Sequence, residues 1–224
     1  MRILKKIGNR ILWQLPPSET ITGYENPELV DLIVQKTKRL LDQPIAPWPE
    51  MANFRSVLDF GGSCGIHYFR AKSTSPEVRW AVVETPAMAE RAKQFESDGL
   101  KFFTSIAGAQ NWLGEPDAVF SEGALQFTQD PETHLADLCG LGASSMIWQR
   151  VSLSRNGRQV SRQSSLLSEN GPGFIVSRKR VEYQIIRIPE SVFLQPIGTT
   201  TCCPRKVRKT IVLARLSYFD ESAR

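Results

Sequence analysis

The stretch Val57-Leu58-Asp59-Phe60-Gly61-Gly62-Ser63-Cys64-Gly65 decides how this chain folds. It begins within a short apolar run, Ser56 to Phe60, of the kind that forms a buried strand. The run breaks at once into glycines, after which Ile66 to Ala71 reads as helix. Glycines between a strand and a helix let the backbone approach a ligand closely, and the start of the helix offers free N–H groups to it. The spacing here is D-x-G-x-S-x-G, which differs from the G-x-G-x-x-G of dinucleotide sites.

Downstream of this loop, strands and helices alternate. Arg79 to Glu84 is a second strand, and Thr85-Pro86 opens a helix at Ala87 to Glu96. Leu100 to Thr104 and Asp117 to Ser121 are the third and fourth strands. Asp130-Pro131-Glu132 caps a helix running to about Leu138, and Ser144 to Leu153 is a fifth strand. This rhythm predicts an α/β fold with a mainly parallel sheet. Beyond residue 153 the rhythm fails. Arg155 to Ser168 is polar and basic, Gly171-Pro172-Gly173 is a turn, and Phe174 to Val176, Glu182 to Ile188 and Thr210 to Ser217 read as strands. With few helices between them, these strands are expected to form an antiparallel extension.

Upstream, Asn26-Pro27-Glu28 has the order of an N-cap, a first-turn proline and a first-turn acid. The helix they open carries Leu29, Ile33, Thr37 and Leu40 or Leu41 at helical spacing. It is followed by a proline-rich linker from Asp42 to Pro49, so residues 1–50 are expected to form an N-terminal helical cap or lid on a domain spanning 51–224. The first 15 residues place Ile3, Leu4, Ile7, Ile11, Leu12 and Leu15 on one helical stripe, with Arg2, Lys5, Lys6 and Arg10 mostly off it. Such a helix packs on its own domain or lies on an anionic membrane surface.

Of the 224 residues, 41% are hydrophobic and 23% charged, the composition of a globular chain able to bury a core. No apolar stretch approaches the roughly 18 residues of a membrane-spanning helix. The four cysteines, Cys64, Cys139, Cys202 and Cys203, have no C-x-x-C spacing. They are too sparse for a disulfide framework and poorly spaced for zinc, and point to reduced thiols in the cytoplasm. The net charge of +5 is uneven, at +1 for residues 1–50, −4 for 51–150 and +8 for 151–224.

Two acids sharpen the reading of the loop. Asp59, at the strand end, suits an ammonium group and would repel a pyrophosphate. Glu84 ends the next strand, about 20 residues on, where an acid accepts hydrogen bonds from ribose hydroxyls. A ligand with an amino-acid end, a ribose and an adenine fits these groups, and S-adenosylmethionine is such a ligand.

The VLDFGG…G segment followed by VVE resembles the first two motifs of class I S-adenosylmethionine-dependent methyltransferases. More narrowly, residues of about 20–150 resemble a bacterial methyltransferase family associated with surface-polysaccharide synthesis. Its D-F-G-G loop, W-x-V-V-E strand and L-Q-[YF]-x-x-D-P segment have counterparts in Asp59 to Gly62, Trp80 to Glu84 and Leu125 to Pro131. The resemblance implies a Rossmann-like fold with a mostly parallel seven-stranded sheet and the antiparallel C-terminal extension. It implies that Asp59, Gly61, Gly62, Ser63 and Gly65 line the methionine part of the cofactor. Glu84 and Thr85 would hold the ribose, Thr104 and Ser105 would border the adenine, and Ser121 and Glu122 would lie beneath the sulfonium. Ser63 stands where the methyltransferase superfamily usually has glycine, and residues 154–224 match no named pattern.

Methyl transfer from an activated sulfonium is an in-line displacement that depends mainly on alignment and exclusion of water. A hydroxyl acceptor gains from a general base, and His67, Glu122 and His134 are the candidates, in that order. Each also has a bland reading: a capping histidine, a solvated loop acid and a surface histidine. Arg150, ending the fifth strand, faces either an anionic acceptor or solvent. The expected acceptor is a small molecule or glycan. The basic residues after 150 leave a nucleic-acid acceptor as the alternative, although no aromatic side chains interleave with them as base stacking requires. A non-catalytic partner protein with the same fold is the third reading.

Overall fold

A computed structural model describes residues 11–173, 175–198 and 209–211 of the chain. The expected N-terminal helix falls largely outside these residues, but 11–14 are helical. Phe174, Cys202, Cys203 and residues 212–217 of the last expected strand also lie outside them.

The central sheet is built from β2 (Ser56–Phe60), β3 (Arg79–Val83), β4 (Leu100–Phe103), β5 (Ala118–Glu122), β6 (Ser145–Gln149) and β10 (Lys209–Ile211). Its order is β10-β6-β5-β2-β3-β4 and every pairing is parallel. The chain winds one way from β2 through β3 to β4, then returns to the other side of β2 for β5 and β6. This is the Rossmann-like strand order, with its reversal between β2 and β5. The α/β expectation therefore holds. The strands read as near-continuous apolar runs because both faces are covered. On one face Val57, Trp80, Val82, Ala118 and Phe120 form a core with Leu29, Val30, Ile33 and Val34. On the other, Leu58, Ala81, Val119, Met146 and Trp148 pack with Ala109, Leu113, Leu135 and Leu138. Alternate residues of a strand point to opposite faces, so adjacent apolar residues feed two cores.

The helices are α1 (Pro27–Leu41), α2 (Ile66–Lys72), α3 (Pro86–Ala92), α4 (Ile106–Leu113), α5 (Pro131–Cys139) and α6 (Glu190–Gly198). Their starts follow local capping chemistry. Asn26 Oδ1 accepts from Glu28 N at 3.0 Å, Ser105 Oγ from Gly108 N at 3.1 Å and Asp130 Oδ1 from Thr133 N at 3.3 Å. The first of these fixes α1 where the sequence puts it.

The antiparallel part is a hairpin in a second sheet. β8 (Gln159–Leu166) runs antiparallel to β9 (Arg180–Pro189) along the register Gln159↔Arg187 to Leu166↔Arg180. The other edge of β9 takes two short parallel strands, β1 (Thr20–Thr22) and β7 (Leu153–Ser154). The expected single strand from Ser144 to Leu153 is corrected to two, because Arg150 at φ 53° turns the chain out of the first sheet and into the second. The polar, basic stretch from Arg155 to Ser168, to which the sequence assigns no strand, is mostly β8. Lys36 of α1 is buried, and its ammonium donates to the carbonyls of Ser168 at 3.1 Å, Gly171 at 3.3 Å and Asn170. α1 and the segment after β8 are thereby fixed together over the ends of the central strands.

Candidate functional site

A cavity of about 1700 Å³ opens at the C-terminal ends of β2, β3 and β5, where the sheet order reverses. Ligands bind open α/β sheets at this place. The second sheet and the turn before α1 form its far wall through Tyr24, Gln163, Ser165 and Tyr183.

The loop after β2 forms the floor, with Gly61 at φ 74°, Ser63 at φ 54° and Gly65 at φ 74°. At Gly61 a Cβ would stand 2.0 Å from that of Ala124, and at Gly62 one would stand 2.3 Å from Asp59 Oδ2. Only glycine fits at either position. Ser63 takes the left-handed conformation although it is not glycine. Its N–H is held at 2.8 Å by Glu84 Oε1, while Glu84 Oε2 accepts from Thr85 N at 2.9 Å. Glu84 thus ties the loop to the start of α3. Burial pushes its pKa up, the Thr85 and Ser63 N–H groups oppose that, and the charge of Asp59 adds to it.

Asp59 is fully buried beneath the loop. Its Oδ2 accepts from Trp80 Nε1 at 3.0 Å and lies 3.0 Å from His67 Nδ1. His67 Nε2 lies 3.1 Å from Glu122 Oε2, and Glu122 Oε1 lies 3.1 Å from Arg150 Nε. The result is a row of alternating charge, Asp59–His67–Glu122–Arg150, running from the core to the cavity. Phe120 meets the His67 ring edge-on at 4.7 Å, and Trp48 covers it at 5.7 Å. Burial alone would lower the imidazole pKa. The charge and hydrogen bond of Asp59, with the hydrogen bond and charge of Glu122, reverse this and raise it to about 9. Both ring nitrogens face carboxylates, so both carry protons. The His67 hydrogen bond, opposed by burial and aided by the charge of Arg150, holds Glu122 below the usual carboxylate range.

Gly61, Gly62, Ser63, His67, Glu84, Thr85, Thr104, Ser105, Glu122 and His134 all line the cavity. Asp59, Gly65 and Ser121 are not among the lining residues; Asp59 and Ser121 are buried below it. Ser105 also caps α4. His134 stands on α5 with Nδ1 2.7 Å from Asp130 O, apart from the charged row. Sequence reasoning missed Tyr24, which stacks on Tyr183 at 4.7 Å and lines the cavity. Burial, then Tyr183, raises its pKa, so the hydroxyl keeps its proton. Only the folding of β1 against β9 brings Tyr24 here, and no local signal marks it.

The buried Ser63 Oγ and Thr85 Oγ1 have no hydrogen-bond partner, and both residues line the cavity. Unpaired hydroxyls beside a carboxylate and a glycine loop fit a polar ligand such as S-adenosylmethionine. Among the described residues, no group of three or more His, Cys, Asp or Glu side chains is arranged to hold a metal ion.

Solved structures with some likeness to this chain include an O-methyltransferase family protein from Burkholderia thailandensis, 16% identical over 60% of this chain and 40% of that one, with a TM-score of 0.38. The N-terminal domain of EvdMO1 with SAH bound is 12% identical over 77% and 69%, at 0.38. Human N-acetylserotonin methyltransferase in complex with SAM is 17% identical over 64% and 36%, at 0.34. The chain spans well under half the length of the first and the last of these. No protein-family model matches it, and no curated protein does. The fold assignment therefore rests on strand order and loop geometry.

Proposed function

We propose that the chain is an S-adenosylmethionine-dependent methyltransferase acting on a small, hydroxyl-bearing acceptor of carbohydrate type. One observation carries the reading: Glu84, on the cavity wall, grips the backbone on both sides of the crevice through Ser63 N and Thr85 N. Each carboxylate oxygen has two lone pairs, so both can still accept from a ribose hydroxyl. Gly61, Gly62 and Ser63 would hold the methionine part, with Asp59 and Gly65 shaping the loop from below. Thr85 would lie beside the ribose, Thr104 and Ser105 would border the adenine, and Ser121, buried below the cavity, would support the floor under the reacting centre. When bound, the cofactor supplies an activated methyl group.

The chain's own work is to align the acceptor and take its proton. His67 has both nitrogens engaged by carboxylates, so the base is Glu122, which opens to the cavity, and His67 positions it. His134 stands apart from this row and is left to the wall. The basic surplus after residue 150 is partly neutralised from outside that segment, with Lys179 on Glu19 and Glu28 and Arg158 near Glu132. This favours a small acceptor over nucleic acid. Among the described residues, no helix is long and apolar enough to cross a membrane. Peripheral contact through residues 1–15 is supported by the exposed Ile11 and Leu15. Calorimetry with S-adenosylmethionine and its demethylated product tests the central reading. Binding that weakens in Glu84→Ala is expected, and no heat at millimolar ligand would refute it.

A further inference from the structure

We propose that Arg150 anchors the acidic group of the acceptor, a small hydroxylated acid seated between the charged row and the second sheet. The word acceptor rests on the methyltransferase reading; the anion site does not.

Arg150 sits at φ 53°, a conformation an L residue with a long side chain rarely adopts. Such outliers persist where the surroundings enforce them and concentrate at functional sites. Here the surroundings are explicit. The amide of Gln126, itself buried, donates to Arg150 O at 3.1 Å and holds the turn. Gly123, at φ 65°, lies under the guanidinium, and a Cβ there would come within 3.0 Å of Nη2 and 3.3 Å of Nε. The guanidinium therefore lies over bare backbone, in space that any side chain at position 123 would fill.

Its chemistry is only half used. Glu122 takes the Nε edge, whereas the Nη groups have no partner among the described residues. Arginine presents its donors as a planar fork that grips a carboxylate or a phosphate. Among the described residues lining the cavity, Arg150 is the only lysine or arginine, and Glu25, Glu84, Glu122, Asp137 and Glu169 line the same cavity. An anion entering this cavity thus meets one cationic side chain among the described lining residues. The same cavity is also lined by the uncharged polar Ser152, Gln163, Ser165 and Gln184. Amides and hydroxyls of this kind pair with ligand hydroxyls. The space also suffices, since about 1700 Å³ exceeds the roughly 300–1,000 Å³ of a single small-molecule site. An acid bound at Arg150 lies next to Glu122, which places a neighbouring hydroxyl near the base.

Calorimetry of the full chain, with and without S-adenosylhomocysteine, against D-glucuronate, glucose 1-phosphate and glucose tests the proposal. At least one acid should bind about tenfold more tightly than glucose. Comparing the two acids separates carboxylate from phosphate. The preference should disappear in Arg150→Gln and in Arg150→Gly, with affinity for S-adenosylhomocysteine unchanged. Glycine adopts this φ freely, so Arg150→Gly keeps the turn and separates loss of the anchor from loss of the fold. Equal affinities for acids and glucose, no binding of any of the three at millimolar concentration, or a preference that survives both variants would overturn the proposal. An Arg150-dependent preference in a chain that never binds S-adenosylhomocysteine would instead refute the methyltransferase reading and leave the anion site standing.

Discussion

His67 should stabilise this protein only while it is protonated. In the fold its pKa is raised from 6.5 to about 9. At about 1.4 kcal/mol per pH unit, that difference corresponds to a contribution on the order of 3 kcal/mol. The side chain is 12% exposed, so solvent screens little of it. For a group whose pKa is raised on folding, the contribution is fully present below the unfolded value, 6.5, and is lost as pH rises through the folded value, about 9. Glu122 behaves in the opposite sense. Its folded pKa is depressed, so its share is present above the ordinary glutamate value and is lost as pH falls through the folded one. The row is therefore at full strength in mildly acidic to neutral solution and weakens toward alkaline pH.

Urea unfolding of the wild type and of His67→Gln, at steps from pH 6.5 to about 10, measures this. The wild type should lose on the order of 3 kcal/mol more than the variant across that range. Cys64 titrates near the upper end, its thiol pushed by burial to about 11, but it is common to both proteins and cancels in the difference. A spectroscopic check is independent of unfolding. Nitrogen-15 spectra of the imidazole should show both ring nitrogens protonated near neutral pH. Parallel stability curves for the two proteins, or a neutral tautomer at pH 7, would refute the reasoning, because the bridge between Asp59 and Glu122 needs two donors.

Ser63→Gly removes left-handed strain of about 1–2 kcal/mol, offset by about 0.4–1 kcal/mol of extra freedom in the unfolded chain. Thermal unfolding should show a variant stabilised by up to about 1.6 kcal/mol, and a loss of stability would count against the φ of 54°. Glu84→Gln turns an amide NH₂ toward one of two backbone N–H donors; it should cost about 1–3 kcal/mol in chemical denaturation and weaken cofactor binding in calorimetry. Lys36→Met strips the donor from the carbonyls of Ser168, Asn170 and Gly171. It should cost about 1–3 kcal/mol and make this segment the first site cut in limited proteolysis.

Elements that carry their own signal were legible in the sequence. β2, β3 and β5 are continuous apolar runs next to turn chemistry, and α1 has its cap, its proline and its acid within three residues. The elements that were missed depend on distant partners. β1 is three residues long, too short for any periodicity to show, and exists because β9 pairs with it. β8 is mostly polar because, lying at the edge of its sheet, it exposes much of its length, and so the sequence assigns no strand to it. The break between β6 and β7 has no glycine to announce it, since an arginine takes the left-handed turn. For the site, the glycine loop and Glu84 could be read locally. The link from Asp59 through His67 to Glu122 could not, because it requires β2 to lie beside β5, with Asp59 opposite Phe120.

That link changes how the charge of the chain is to be understood. By count, residues 51–150 carry −4, which invites a picture of an acidic crevice attracting a cationic ligand. In the fold, Asp59 and Glu122 are each bonded to His67, and Glu122 also to Arg150, so two carboxylates are balanced by an imidazolium and a guanidinium. The floor of the cavity is close to neutral, leaving Glu84 as the acid beside the glycine loop. Removing His67 would set Asp59 and Glu122 against each other across a buried gap, where like charges are costly. Removing Arg150 would leave Glu122 still held by His67. The inner members of the row therefore fix geometry, and chemistry falls to the atoms at its open end, the Glu122 carboxylate and the Arg150 Nη groups.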